Sequence, residues 1–190
     1  MNDRVFDYAT AFSRNIGWLT PNEQALLRSK RVAIAGLGGV GGSHLLTLTR
    51  LGIAAFTIAD FDTFDLVNFN RQTGASLSSI GLRKTDVLAA RAKEINPDLD
   101  LKILHEGVNA DNLNDFLTNI DLYVDGLDFF AVAARRMVFA ACAELGIPAI
   151  TAAPLGMGAA LLNFLPGTRR NDCRRLLIVA LTFDFDLIQP

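Results

Sequence analysis

Residues 32–41 read Val-Ala-Ile-Ala-Gly-Leu-Gly-Gly-Val-Gly, and this decapeptide constrains the chain more than any other stretch. A short β-rich run empties into glycines, and apolar residues at helical spacing follow at Leu45, Leu46, Leu48 and Leu51. Strand, glycine turn and helix in that order form the unit that cradles nucleotide phosphates. Gly36 permits the tight turn, Gly38 lets the backbone approach a ligand, and Gly41 lets the helix lie close to the strand. The amides at the helix N-terminus then face an anion, aided by the helix dipole. Glycines alone recur in purely structural turns. The strand before them and the helix after them are what point to a nucleotide.

The 190-residue chain is long enough to bury one sizeable core, and hydrophobic residues make up 51% of it, as in a globular protein. The net charge of −2 comes from charges spread along the chain, which argues against a nucleic-acid groove or an anionic membrane surface as partner. The two cysteines, Cys142 and Cys173, have neither disulfide-framework nor zinc spacing, which suits a reducing compartment. The N-terminal residues, with Asp3 and Asp7, do not read as a signal peptide. Every long apolar stretch is interrupted before it reaches membrane-spanning length. The expectation is a cytoplasmic protein with no membrane segment.

The remaining pattern alternates strands and helices. Residues 1–30 read as a helical segment, with Thr20-Pro21 opening a helix. After the first strand (31–36) and its helix, ended by Gly52, a second strand over 54–59 stops at Asp60. A polar-aromatic loop follows, then a helix from Gly81 to Asn96 halted by Pro97. Further strands are expected at 99–104, 121–125, 147–151 and 159–165, with helices at 110–119 and 129–145. This order predicts an α/β, Rossmann-like doubly wound fold, with a mostly parallel sheet and helices on both faces. The organisation is then an N-terminal segment (1–30), an ATP-binding Rossmann-like domain (31–167) and an irregular tail (168–190). The tail carries Arg169, Arg170, Arg174 and Arg175 ahead of an apolar run. An edge strand, a dimer contact and the end of a truncated larger protein all remain open for it.

In such a sheet ligands bind beyond the carboxyl ends of the strands, so the polar residues there matter most. Asp60, about 20 residues past the last glycine of the turn, is placed to accept hydrogen bonds from ribose hydroxyls; a solvated strand-end aspartate is the plainer reading. Asp125 ends another strand and Asp128 follows it, offering carboxylates of the kind Mg²⁺ takes alongside phosphate oxygens and water. An ordinary turn aspartate would look the same. Arg71 and Lys84 flank this crevice and could clamp a triphosphate, a feature that a nicotinamide cofactor does not need. His44 and His105 have no partners at ligand spacing and read as structural or solvated. Cys142 lies in an apolar helix and reads as core packing, whereas Cys173, between Asp172 and Arg174, has cationic surroundings that favour a thiolate.

Assembled, these residues resemble the ThiF/MoeB/HesA family, prokaryotic relatives of ubiquitin-activating enzymes. The resemblance covers residues 8–166. It rests on Ser13-Arg14-Asn15-Ile16, Gly36-Leu-Gly-Gly-Val-Gly41, Asp60-Phe-Asp62, Asn68-Phe-Asn-Arg71-Gln72, Gly81 with Lys84, Ile95-Asn96-Pro97 and Asp125-Gly-Leu-Asp128. It implies an enzyme that binds ATP and Mg²⁺ and adenylates a carboxylate with release of pyrophosphate. The acceptor it implies is the C-terminal glycine of a small ubiquitin-like or sulfur-carrier protein. By position, Gly39 would touch the nucleotide and Asp60 its ribose, with Gln72 also at the nucleotide. Asn68, Arg71 and Lys84 would hold the phosphates, and Asp128 the magnesium. Arg14 would reach the triphosphate from the other subunit of a homodimer.

The chain departs from the family pattern in two places. Phe129 and Phe130 follow Asp128 where members commonly carry Asn, and the paired Cys-x-x-Cys motifs are absent, so no zinc is expected. Three other functions compete with the carboxylate adenylyltransferase. These are a dehydratase of the same family acting on a modified tRNA base, a nicotinamide-dependent oxidoreductase, and a nucleotide-binding subunit without turnover.

Overall fold

The computed structural model describes residues 5–155, 158–166 and 179–182. It begins with a short helix α1 (Tyr8–Ala11), a 3-10 turn (Ser13–Asn15) and α2 (Pro21–Arg28). Thr20 caps α2 as its sequence promises, because Thr20 Oγ1 accepts the Glu23 amide while Glu23 Oε2 accepts the Thr20 amide. The alternating core follows: β1 (Arg31–Ala35), α3 (Gly39–Leu51), β2 (Ala55–Ala59), α4 (Lys84–Ile95), β3 (Asp100–Leu104), α5 (Leu113–Phe116), β4 (Leu122–Asp125), α6 (Val132–Leu145) and β5 (Ala149–Leu155). The strands β6 (Gly158–Phe164) and β7 (Val179–Thr182) complete it.

Among the described residues seven strands form one sheet in the order β3-β2-β1-β4-β5-β6-β7. The first five are mutually parallel, and β6 and β7 join antiparallel. The order reverses between β1 and β4, which makes the carboxyl ends of those two strands the topological switch point where this class of sheet opens a crevice. Alternate residues of each central strand enter opposite layers. Val32, Ile34, Phe56 and Ile58 pack with Leu45 and Leu88 of α3 and α4. Ala33, Ala35, Ala59 and Tyr123 pack with Phe116, Val138 and Cys142 on the other side. Strands buried on both faces and covered by helices are the expected doubly wound arrangement.

The N-terminal segment closes the C-terminal end of α3. Tyr8 Oη donates to Gly52 O at 2.6 Å, Gln24 Nε2 to Leu51 O at 2.9 Å, and Asn15 Nδ2 to Leu51 O at 3.1 Å. These side chains satisfy carbonyls that a helix end leaves without partners.

Several boundaries differ from the sequence expectation. The helix expected from Gly81 starts at Lys84, because the preceding residues pair with the loop before them. The Gly81 amide donates to Phe64 O, Phe64 to Leu82 O and Lys84 to Asp62 O. The helix expected from 129 starts at Val132, since Asp128 holds a turn through the Phe130 and Ala131 amides. The helix expected over 110–119 contracts to Leu113–Phe116. Of the tail expected to be irregular, Val179–Thr182 forms edge strand β7; Arg169, Arg170, Cys173, Arg174 and Arg175 lie outside the described residues. No helix among the described residues is long and apolar enough to cross a membrane.

Three glycines from three elements set how closely α3 approaches the sheet. A Cβ on Gly41 would stand 1.8 Å from Gly36 O, and one on Gly126 would stand 2.7 Å from Gly41 Cα. Backbone therefore meets backbone where β1, α3 and the end of β4 converge. Replacing Gly41 with Ala forces a shift of main chain and is expected to destabilise the fold by about 1–3 kcal/mol, a fall of several degrees in melting temperature. Thermal melts followed by circular dichroism check this, and an unchanged midpoint would contradict the contact.

Candidate functional site

The site is built outward from the turn after β1. Gly36 has φ +81°, in the region that favours glycine, and its amide donates to Ala59 O at 2.8 Å. Gly38 then caps α3 without any side chain, so the amides of the first helical turn have no side-chain partner. A Cβ on Gly38 would meet nothing closer than Gln72 Nε2 at 3.8 Å. The turn is thus crowded where it touches the sheet and open on its outer side, as a seat for an anion at a helix N-terminus requires.

The loop from Asp60 to Lys84 wraps this turn. Asp60 is buried at the end of β2, where its Oδ2 accepts the Leu37 amide at 2.6 Å and its Oδ1 accepts the Asp62 amide at 2.7 Å. Burial pushes its carboxyl above the usual value of 3.8, against the opposing pull of the two amides and Lys84. The carboxylate thus ties the end of β2 to the glycine turn, and each oxygen keeps lone-pair capacity for a hydroxyl donor.

Asn68 is buried and organises the loop. Its Oδ1 accepts the Asp65 amide at 2.9 Å, and its carbonyl accepts the amides of Arg71 and Gln72. The two residues so presented stand against the glycines: Arg71 Cγ lies 3.5 Å from a Cβ position on Gly39, and Gln72 Nε2 lies next to Gly38. Gln72 is buried and its Oε1 has no hydrogen-bond partner among the described residues. The guanidinium of Arg71 is exposed and donates to Val67 O and Asn70 Oδ1, both at 3.0 Å.

Lys84, the first residue of α4, is only 5% exposed. Its Nζ donates to Asp62 Oδ2 at 2.8 Å, which places a desolvated cation beside Asp60. The structure therefore brings Gly36, Gly38, Gly39, Gly41, Asp60, Asn68, Arg71, Gln72 and Lys84 into one contiguous region at the carboxyl ends of β1 and β2. In this state Lys84 spends its charge on Asp62.

The end of β4 forms the other wall. Asp128 is exposed and its Oδ1 accepts the Phe130 amide at 3.0 Å. Asp125, expected to face the crevice as a second carboxylate, is instead 2% exposed and bound to Arg135 Nε at 2.6 Å and Thr151 Oγ1 at 2.8 Å. The inward orientation follows from the alternation of β4, which turns Asp125 to the same layer as Tyr123.

Arg14 lies apart from these residues. It sits exposed in the Ser13–Asn15 turn, which Asn15 fastens to the C-terminal end of α3. The glycine seat is at the other end of that helix, about 18 Å away at the rise of an α-helix.

Of the histidines, His44 is half-buried with Nε2 unpartnered among the described residues, and burial lowers its pKa. His105 Nδ1 lies 2.9 Å from Thr85 Oγ1 and 3.7 Å from Asp86 Oδ1. Cys142 is core packing, with burial pushing its thiol up to about 12. Sequence reasoning missed Arg135 and the packing role of Gly126. A lone arginine pair on an otherwise apolar stretch after Asp125-Gly-Leu-Asp128 was the available signal.

A doubly wound sheet with an open glycine turn at its switch point and a buried lysine beside it defines a nucleotide-binding class of α/β domain. The comparisons with known proteins narrow that class. A profile of the ThiF family matches residues 12–179, and the chain belongs to that family. It is 34% identical over 150 residues to the tRNA threonylcarbamoyladenosine dehydratase of Haemophilus influenzae, a match covering 78% of this chain and 56% of that protein. It is 33% identical over 168 residues to the sulfur carrier protein ThiS adenylyltransferase of Escherichia coli, covering 87% of this chain and 65% of that protein. The chain thus spans between about half and two thirds of the length of these curated relatives. Among solved structures it superposes on E. coli tRNA N6-threonylcarbamoyladenosine dehydratase in complex with ATP. The TM-score is 0.72 at 28% identity, covering 75% of this chain and 58% of that one.

The raised pKa of Asp60 gives a prediction with a definite sign. A carboxyl whose folded pKa exceeds its unfolded one contributes stability below the unfolded value and loses it as pH rises through the folded one. The wild type should therefore gain stability relative to Asp60→Asn between neutral pH and about pH 4. Paired thermal melts at the two pH values measure this, and a constant gap would contradict the assignment.

Proposed function

We propose that this chain binds ATP across the carboxyl ends of its central strands and transfers AMP to a carboxylate, releasing pyrophosphate. The observation that carries the reading is the open, uncapped start of α3 at Gly38, with Gln72 and Arg71 held against it and buried Lys84 alongside Asp60. Those are the elements needed to seat a phosphate tail at one end and grip a ribose at the other. The membership of the ThiF family and the likeness to an ATP-bound structure support it.

The chemistry asks little of a base, because an ionised carboxylate is already a nucleophile. One of its oxygens forms a bond to the α-phosphorus in line with the leaving group. The bond between that phosphorus and the bridging oxygen breaks, and pyrophosphate leaves with the electron pair. The site's task is alignment and charge neutralisation. Asp60 accepts the ribose hydroxyls through its free lone pairs. Gly39 and Gln72 line the nucleotide, while Asn68, Arg71 and Lys84 hold the phosphates. Lys84 trades Asp62 for phosphate oxygens when ATP arrives. Asp128 suits Mg²⁺, because it is an exposed carboxylate with only Oδ1 engaged, by the Phe130 amide. That setting fits a cation that draws most of its ligands from phosphate and water. When bound, Mg²⁺ would supply further neutralisation of the phosphate charge.

Arg14, about a helix length from its own chain's crevice, acts in the reading from a second copy of the chain, so the working form is a homodimer. The acceptor in this reading is the C-terminal carboxylate of a small ubiquitin-like or sulfur-carrier protein in the cytoplasm; similarity to an E. coli sulfur carrier protein adenylyltransferase supports a carrier protein as acceptor. A second reading, a dehydratase activating a carboxylate on a modified tRNA base, is favoured by the H. influenzae relative. Parallel assays with carrier protein and with tRNA separate the two.

ATP–pyrophosphate exchange tests the reaction. Arg71→Ala or Lys84→Ala should lower exchange about 10²–10³-fold, and Asp60→Ala should weaken ATP binding. Wild-type behaviour in all three variants would reject the site. Gly38→Ala gives a complementary result. It should melt only slightly below the wild type, by the modest cost of alanine at a helix N-cap, since its added methyl meets only Gln72 Nε2 at 3.8 Å, yet bind ATP less tightly in calorimetric titration.

A further inference from the structure

Resting on the proposed function, we infer that Arg135 is the positioning residue for Asp128: a single guanidinium, anchored on buried Asp125, fixes the loop that presents the metal-facing carboxylate. The contacts are specific. Asp125 Oδ2 accepts Arg135 Nε at 2.6 Å, and its two oxygens also take Thr151 Oγ1, the Leu127 amide and Tyr123 Oη. This carboxylate has no capacity to spare for a ligand and serves as an anchor.

The rest of the guanidinium is spent on the loop. Arg135 Nη2 donates to Leu127 O at 2.8 Å and to Asp128 O at 3.1 Å, and Nη1 donates to Phe129 O at 3.3 Å. Pairing with Asp125 alone would need only Nε. Three consecutive carbonyls held by one rigid fork define the path of the main chain on either side of Asp128. Leu127 packs against the core at the start of the loop, but beyond Asp128 no comparable apolar anchor follows among the described residues: Phe129 and Phe130 are 68% and 86% exposed and stack edge-to-face on each other. Asp128 Oδ1 closes a local turn on the Phe130 amide, and Oδ2 has no donor among the described residues. Partners that orient a metal ligand in this way are worth about 10–100-fold in metal affinity in well-studied sites.

Arg135→Lys is the discriminating variant. It keeps a cation for Asp125, which an alanine would strand as a buried unpaired charge, but it lacks the planar fork. ATP affinity is measured by calorimetry in EDTA and again with Mg²⁺, for wild type, Arg135→Lys and Asp128→Asn. The expected result is metal-free affinity for Arg135→Lys within about twofold of wild type, with the Mg²⁺-dependent gain reduced about tenfold. Asp128→Asn should lose that gain as well. If Arg135→Lys keeps the full gain while Asp128→Asn loses it, the positioning role is overturned and the proposed function stands. If Asp128→Asn also keeps it, the metal assignment in that function is wrong, and the positioning role falls with it. Equal weakening of Arg135→Lys with and without metal would make Arg135 a general support of the pocket and overturn the inference. If Arg135→Lys does not fold, Asp125→Asn, which removes the anchor's charge and leaves the fork, replaces it under the same criteria.

Discussion

The tightest glycine site among the described residues sets main chain against main chain. Gly36, Gly41 and Gly126 meet where β1 ends, α3 begins and β4 stops, with no room for a methyl group at any of them. That contact sets the depth at which α3 lies on the sheet. It therefore also sets where the helix N-terminus points and how far the adjacent Gly38 stands clear. Because β1 and β4 are the strands between which the sheet order reverses, the same contact fixes the floor of the crevice. The polar residues around the crevice are placed relative to this floor. Asp60 is hydrogen-bonded to Leu37, Gln72 and Arg71 lie against Gly38 and Gly39, and the loop bearing Asp128 leaves from Gly126.

Two ion pairs flank the glycine turn, one on each side. Lys84 is buried deeply enough that its ammonium needs a partner, and Asp62, half exposed, supplies one. On the other wall Arg135 and Asp125 form a second pair, but there the carboxylate is the buried member. The two pairs differ in consequence. A ligand anion can displace a solvent-facing Asp62 from its lysine. No ligand can reach Asp125, which belongs to the frame and not to the binding surface.

Much of this was legible in the sequence where a local signal and a global one agree. The strand–glycine–helix unit around residues 32–41, the strand ending at Asp60 and the cap at Thr20 all combine a period with a punctuating residue, and each formed as expected. Helix starts were less legible. Gly81–Arg83 and Phe129–Ala131 satisfy helical composition, but the amides of Gly81, Leu82, Phe130 and Ala131 are bonded to loop residues instead. The direction of β6 could not be read from its composition, since an apolar strand looks the same whether its neighbour is parallel or antiparallel. Asp125 was misjudged because an acid at a strand end was assumed to face the ligand. One-residue alternation along β4 decides instead that Asp128, three positions later and off the strand, is the outward one. Arg135 left only the trace of an arginine pair on an apolar stretch, because its partners in the loop are carbonyls, which no sequence pattern marks.

The fastening of the N-terminal segment to α3 has a mechanical corollary. Tyr8, Asn15 and Gln24 grip the last carbonyls of the helix whose first amides face the crevice. The N-terminal segment and the glycine turn therefore stand at the two ends of one uninterrupted helix, so the turn that carries Arg14 is held at a fixed distance from the start of α3 by a rod with no loop in it.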